Sequence, residues 1–136
     1  MNTFQIVLLL FLAANLKGCE RQSKNIDPSK IEGKWKLIGQ YLGLPDGYVD
    51  IEAGHELSFN KDGTFIKGKD NCNHGKYEVF EGSIVFRYDC DGKEKMLSKG
   101  VQRENFTLVN GILRLVPTYK SCDEGCYYEY KKISNN

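Results

Sequence analysis

The strongest constraint on the fold is a series of tight-turn signals between short alternating segments. Asn110-Gly111 is the residue pair that two-residue type I′ hairpin turns prefer. With that turn, Leu108 faces Leu113 and Phe106 faces Leu115 on the neighbouring strand. Both cross-strand pairs are apolar, so the turn chemistry and the hydrophobic pattern predict the same register.

Two further turns give apolar pairs in the same way. Glu81-Gly82, taken as a two-residue turn, produces the pairs Val79–Ile84 and Tyr77–Phe86. Lys61-Asp62-Gly63, taken as a three-residue loop with Gly63 in the left-handed region, pairs Phe59 with Phe65. Asp91-Gly92 marks a fourth turn, so turn signals recur along most of the chain.

These turns predict eight or nine short strands, near residues 34–42, 55–60, 63–69, 75–80, 83–90, 94–99, 102–109, 112–117 and 126–133. A sheet of that many twisted strands tends to curl and close, which removes its exposed edges. We therefore expect an all-β domain, a single antiparallel up-and-down meander closed into a barrel. Alternation assigns to the interior Trp35, Leu37, Leu57, Phe59, Phe65, Tyr77, Val79, Ile84, Phe86, Tyr88, Phe106, Leu108, Leu113, Leu115, Tyr128 and Tyr130. The outward positions are rich in Lys, Glu and Arg.

The predicted domain contains four cysteines, Cys72, Cys90, Cys122 and Cys126. An even number in an exported chain indicates disulfides, with three possible pairings. The hairpin register places Asn73 opposite Cys90, so a bulge around His74-Gly75 would bring Cys72 within bridging distance. Cys122 and Cys126 flank a tight loop, so the favoured bridges are 72–90 and 122–126. Zinc is disfavoured because the spacing supplies one cysteine pair of a four-cysteine site.

The N-terminus carries an export signal. The apolar run from Ile6 to Ala14 is shorter than the roughly 20 residues of a membrane-spanning helix. Gly18-Cys19 follows it, as at a signal-peptidase site. Leu16, Gly18 and Cys19 resemble the bacterial lipobox, although Lys17 occupies a position where a small residue is usual. An ordinary secretory signal with Cys19 as a free thiol is the alternative.

We expect residues 1–18 to be a lipoprotein signal peptide, Cys19 to carry the lipid, and residues 19–30 to form a polar tether. The domain then occupies residues 31–134. Removal of residues 1–18 removes one lysine and leaves 18 basic and 18 acidic residues. Because this balance provides no basic patch, we expect no nucleic-acid partner.

No pattern typical of catalysis is present. His55 and His74 are far apart in the sequence and lack a paired carboxylate motif, so both are interpreted as solvated loop residues. The chain lacks Gly-x-Ser-x-Gly, His-Glu-x-x-His and phosphate-loop motifs. We therefore predict no catalytic residues, no metal site, no cofactor and no enzymatic activity.

The chain contains eight tyrosines, many for one small domain. An inward group of them could line a pocket that combines apolar faces with a few hydroxyls. The candidates for ligand binding are Tyr48, Tyr77, Tyr88, Tyr128 and Tyr130. The alternative is that these side chains only fill the barrel or cap cross-strand pairs.

The domain resembles the short lipocalin-like lipoproteins of Bacteroidetes-type bacteria. The matching features are the Gly-x-Trp-Lys-Leu start at 33–37, the hairpin at 60–65, the Cys-x-Glu-Gly-Cys loop at 122–126 and the Tyr-Lys-Lys-Ile strand at 130–133. The resemblance implies a lipocalin-like barrel in which Trp35 closes one end and residues 42–54 form a lid over the other. The chain is shorter than typical lipocalins.

A second resemblance is to the META domain, another small β-fold of envelope proteins. It depends on Asn71-Cys72-Asn73 ahead of Gly75-Lys76-Tyr77 and on the later Cys90, with Asn71 where that family has glycine.

Two functions therefore stay open. The first is a monomeric, membrane-anchored barrel in the bacterial cell envelope that binds a small apolar or amphipathic ligand. The second is an envelope protein-interaction or inhibitor module with a filled barrel and disulfide-fixed loops.

Overall fold

The computed structural model describes residues 27–90, 100–118, 122 and 125–135. Its strands are β1 (Gly33–Tyr41), β2 (Tyr48–Asp50), β3 (Glu56–Phe59), β4 (Thr64–Lys67), β5 (His74–Phe80), β6 (Ser83–Tyr88), β7 (Val101–Val109), β8 (Ile112–Pro117) and β9 (Tyr127–Ser134). A short 3₁₀ helix, Pro28–Lys30, precedes them.

The strands form one antiparallel sheet that closes on itself. Each strand from β3 to β8 pairs with the next along the chain, and β1 pairs with both β3 and β9. These eight strands complete the barrel. The ninth, β2, pairs with the second half of β1, with Gly39 opposite Asp50. The expectation of an all-β, up-and-down antiparallel barrel is confirmed.

The hairpin registers agree with those expected from the turns. Leu108 pairs with Leu113, and Phe106 pairs with Leu115. Asn110 and Gly111 have φ values of 52° and 75°, as the two central positions of a type I′ turn require. Phe59 pairs with Phe65 across the three-residue loop. Local turn chemistry therefore sets the alternation of the sheet.

Two expectations about the strands were wrong or incomplete. The bulge around His74-Gly75 does not form, because the β5–β6 register continues without a shift to the pair Gly75–Tyr88. No strand was predicted at β2, which lies within the expected lid at 42–54. Its three residues are all exposed, so no alternation of buried and exposed positions marks them as a strand. The predicted strand at 94–99 and the turn at Asp91-Gly92 lie outside the described residues.

One end of the barrel is closed by the start of the domain. Asp27 caps the 3₁₀ helix by accepting a hydrogen bond of 3.0 Å from the Ser29 amide. Ile31 is fully buried behind the helix, and Trp35 is 1% exposed. The indole Nε1 of Trp35 donates to the Ile31 carbonyl at 2.7 Å, so its one polar atom is satisfied in the core.

The two ends of the barrel differ in their connections. The closed end contains the helix and the turns 60–63, 81–82 and 110–111. The opposite end, called the loop end, contains the longer connections that follow β1, β4, β6 and β8. Every residue assigned to the interior belongs to the buried core or packs against it. The alternation therefore identified the inner face.

Candidate functional site

The interior of the barrel changes in character along its axis. The half at the closed end is apolar and includes Trp35, Phe59 and Phe106. The half at the loop end contains polar side chains in addition to aromatic ones. A buried polar group must find partners to offset its lost hydration, so this second half is the candidate site.

An ion pair crosses the interior of the loop-end half. Lys67 lies at the end of β4 and Glu104 lies on β7, and two strands separate β4 from β7 in the sheet. Lys67 Nζ is 3.0 Å from Glu104 Oε1, so the contact spans the interior of the barrel. The Glu104 side chain is fully buried, whereas the Lys67 side chain is 16% exposed.

A second donor and an aromatic ring support this pair. Gln102 is 5% exposed and donates from Nε2 to the same oxygen, Glu104 Oε1, at 2.6 Å. Lys67 Nζ also lies 5.3 Å from the centre of the Phe86 ring, within the range of a cation–π contact. We call Lys67, Gln102 and Glu104 the polar cluster. It has no net charge when the lysine is protonated and the carboxyl is ionised.

The electrostatics of the polar cluster keep the lysine charged. Burial by itself lowers the pKa of Lys67, but the charge of Glu104 and its hydrogen bond, together with the nearby Tyr130 and Tyr88, raise that pKa well above its ordinary value. Burial also raises the pKa of Tyr88, and it raises the pKa of Tyr130 to about 12. Both phenols are therefore protonated at neutral pH.

Glu104 Oε2 has no hydrogen-bond partner among the described residues, although the atom is buried. A carboxylate oxygen left in this state loses its hydration without replacement, which costs about 1–3 kcal/mol or more for a charged group. The candidate site therefore contains a buried acceptor that can still receive a hydrogen bond.

His55 joins the same region from the segment before β3. Its Nε2 lies 3.0 Å from the Tyr130 hydroxyl, and the two rings meet edge to face with centres 5.7 Å apart. Burial lowers the pKa of His55, and the positive charge of Lys67 lowers it further. The imidazole is consequently neutral at neutral pH, so it adds no charge to the site.

The structure brings three of the five candidate tyrosines to this half of the barrel. Tyr130 is 1% exposed, and Tyr88 and Tyr128 pack partly buried against the core. Tyr77 does not join them, because its hydroxyl donates to the Asn60 carbonyl in a closed-end turn at 3.1 Å. Tyr48 also lies elsewhere, on the outer surface.

Tyr48 belongs to an outer aromatic patch made of Tyr41, Tyr48, Arg114, Tyr127 and Glu129. Its hydroxyl donates to Glu129 Oε2 at 2.9 Å, and its ring covers Gly39. Tyr41 stacks on Tyr127 with ring centres 5.3 Å apart. The Arg114 guanidinium lies 4.1 Å from the centre of the Tyr127 ring, and its Nη2 donates a hydrogen bond to Glu129 Oε1.

The sequence interpretation missed the polar cluster and the contact of His55 with Tyr130. Outward positions were expected to hold the charged residues, yet Lys67 and Glu104 both point inward. The signal was present: Lys67 is two residues after Phe65, and Glu104 is two residues before Phe106. Strict alternation therefore assigns both to the inner face. His55 and His74 are both exposed, as expected of solvated loop residues, but the His55 ring also contacts the Tyr130 hydroxyl.

Both disulfides lie at the loop end. Cys72 bonds Cys90 with Cα atoms 5.7 Å apart, and Cys122 bonds Cys126 with Cα atoms 5.8 Å apart. The favoured pairing is confirmed. Because such bonds persist in oxidising compartments, they indicate a location outside the cytoplasm.

The expected lid at 42–54 is partly anchored. β2 pairs with β1, and the Ile51 amide donates to the Ile38 carbonyl at 2.8 Å. A Cβ at Gly54 would collide with the Leu37 carbonyl, so the backbone is packed tightly there. Leu42 and Leu44 are exposed. Residues 42–47 and 51–54 are the parts of this segment that lie outside the strands.

Among the described residues, no group of three or more His, Cys, Asp or Glu side chains is placed to hold a metal ion. The described part of the chain also contains no helix long and apolar enough to cross a membrane. Neither a protein-family model nor a curated protein matches the sequence.

Proposed function

We propose that this protein is a non-enzymatic binding protein that takes one small amphiphilic molecule into the loop-end half of its barrel. The observation that carries the proposal is the polar cluster, a buried ion pair across the interior with an unpartnered carboxylate oxygen. A purely structural core does not require such a pair, because apolar side chains of similar volume are often equally stable or more stable.

The surroundings of the cluster favour a ligand with both apolar and polar parts. Phe86 and Leu115 are fully buried, and Tyr88 and Tyr128 are partly buried beside them. Binding sites for small molecules are commonly lined by apolar and aromatic side chains with a few polar groups that set orientation. A ligand would place an apolar tail against these rings and its polar group against the cluster.

The same proposal includes export and lipid attachment. The disulfides support an oxidising compartment, and the signal sequence supports processing at Cys19. Cys19→Ser should abolish incorporation of labelled palmitate and release the protein from the membrane fraction. Retention of the label in the variant would contradict lipidation at Cys19.

The binding test uses the neutral fluorescent dye N-phenyl-1-naphthylamine. The wild-type protein should enhance its fluorescence with a saturable, one-to-one stoichiometry. Tyr128→Trp enlarges a side chain on the inner face and should weaken dye binding. Tyr127→Trp changes the neighbouring residue on the outer patch and is the matched control. Failure of the wild type to bind, or equal loss in both variants, would refute a site inside the barrel.

A protein-interaction module is the second candidate, and the outer aromatic patch favours it. Tyr48 of that patch is 40% exposed, and Leu42 and Leu44, which follow Tyr41 in the chain, are 47% and 60% exposed. Protein interfaces are enriched in tyrosine and arginine. If this function is correct, Tyr127→Ala should abolish capture of an envelope partner, while Tyr128→Trp leaves capture intact.

A further inference from the structure

The charge balance of the polar cluster restricts what a bound molecule can place next to it. One ammonium and one carboxylate face each other, and His55 is neutral. Tyr88 and Tyr130 are the other titratable groups near Lys67, and both are protonated and uncharged at neutral pH. A carboxylate or ammonium brought into this region would therefore add an uncompensated charge, which is strongly unfavourable away from water.

The hydrogen-bonding capacity of the polar cluster also favours one kind of ligand group. Glu104 Oε1 already accepts from Lys67 Nζ and from Gln102 Nε2, whereas Glu104 Oε2 accepts from no described residue. The free capacity of the cluster is that of an acceptor, so the complementary group on a ligand is a donor. A ligand carboxylate would instead face Oε2 with like charge.

From these two balances we infer that the barrel selects amphiphiles with a neutral hydrogen-bond donor as head group, a hydroxyl or a primary amide, which donates to Glu104 Oε2. The inference rests on the proposed function and specifies its ligand class. Fatty acids and alkylamines of the same chain length are discriminated against. Lys67 holds the acceptor in place through Oε1, and the neighbouring rings of Phe86 and Tyr88 contact the start of the tail.

The test compares three probes that share one alkyl chain: decanol, decanoate and decylammonium. Each is titrated against the purified full chain loaded with N-phenyl-1-naphthylamine at neutral pH. Decanol should displace the dye about tenfold more strongly than either charged probe, because a charged head leaves one buried group unpaired.

Glu104→Gln provides the decisive variant. It removes the carboxylate and leaves the Lys67 ammonium without a counter-charge, so the preference should change to decanoate. Glu78→Gln is the matched control: Glu78 bonds Arg87 on the outer face at 3.2 Å. This control should keep the wild-type ranking. If Glu104→Gln does not fold, the ranking of the three probes on the wild type still decides the question.

The outcomes separate the two proposals. If the dye does not bind the wild type, the proposed function fails and the inference fails with it. If the dye binds but a charged probe ranks first, the proposed function stands and the inference is overturned. An unchanged ranking in a folded Glu104→Gln variant also overturns the inference, because the head group would then not contact the cluster.

Discussion

Removing the lysine of the polar cluster should destabilise the barrel strongly. Lys67→Met keeps the approximate length of the side chain but leaves the fully buried Glu104 with Gln102 as its donor among the described residues. Breaking a buried ion pair by removing one partner typically costs about 3–5 kcal/mol. Lys67 is 16% exposed, so water is near the pair and the lower end applies. We expect the free energy of unfolding to fall by about 3 kcal/mol, which is a large fraction of the stability of a small domain.

The loss can be measured by urea denaturation at neutral pH. Trp35 is the one tryptophan of the chain and lies in the core, so its fluorescence reports global unfolding. Lys76→Met, an exposed lysine on β5, is the matched control and should change stability by less than about 0.5 kcal/mol. Glu104→Gln added to Lys67→Met should recover most of the loss, because no charge is then stranded. Equal stabilities for Lys67→Met and the control would refute the reasoning.

Three further predictions concern the turn, the bridges and the histidine. Gly111→Ala should lower the free energy of unfolding by about 1 kcal/mol. The cost comes from the positive φ of this position alone, since a Cβ there meets no atom within 4 Å. Asn110→Gly is the control and should be close to neutral in the same denaturation assay. Replacing both cysteines of the Cys72–Cys90 bridge by serine should lower stability by about 3 kcal/mol, and the same change at Cys122–Cys126 by about 2 kcal/mol. The first bridge closes the longer loop, so it restricts the unfolded chain more. The opposite order would contradict this loop-entropy explanation. The pKa of His55 is lower in the folded protein than in the unfolded chain, so the unfolded chain binds more protons in this pH range. Stability should therefore fall as the pH decreases from about 6.5 to the pKa of His55 in the folded protein. His55→Gln should flatten this part of the profile of stability against pH.

The strands and their inner faces were predictable because they depend on local signals. A two-residue turn such as Asn110-Gly111 aligns its neighbours, and the period of two then assigns each side chain to one face. β2 was not predictable in this way. Its three residues pair with β1 at Gly39, where the absence of a side chain lets the Tyr48 ring lie directly on the backbone, and no local pattern encodes that contact.

The candidate site also depends on a contact that local sequence patterns do not predict. Alternation assigns Lys67 and Glu104 to the inner face, but it does not show that they meet. They are 37 positions apart in the chain and lie on strands that are not neighbours in the sheet. Their 3.0 Å contact depends on the diameter and stagger of the closed barrel, which follow from the strand pairings taken together.

The sequence by itself therefore determined the all-β class, the turn positions and the inner face, since each depends on residues close in the chain or on a simple period. It also favoured the observed disulfide pairing, although the bulge expected beside Cys72 does not form. Only the tertiary structure decided which inward residues form the apolar plug around Trp35 and which form the polar cluster. It also separated Tyr48 and Tyr77 from the three tyrosines at the loop end. The physical reason is that closure of a barrel brings distant strands face to face, and no local pattern encodes that distance.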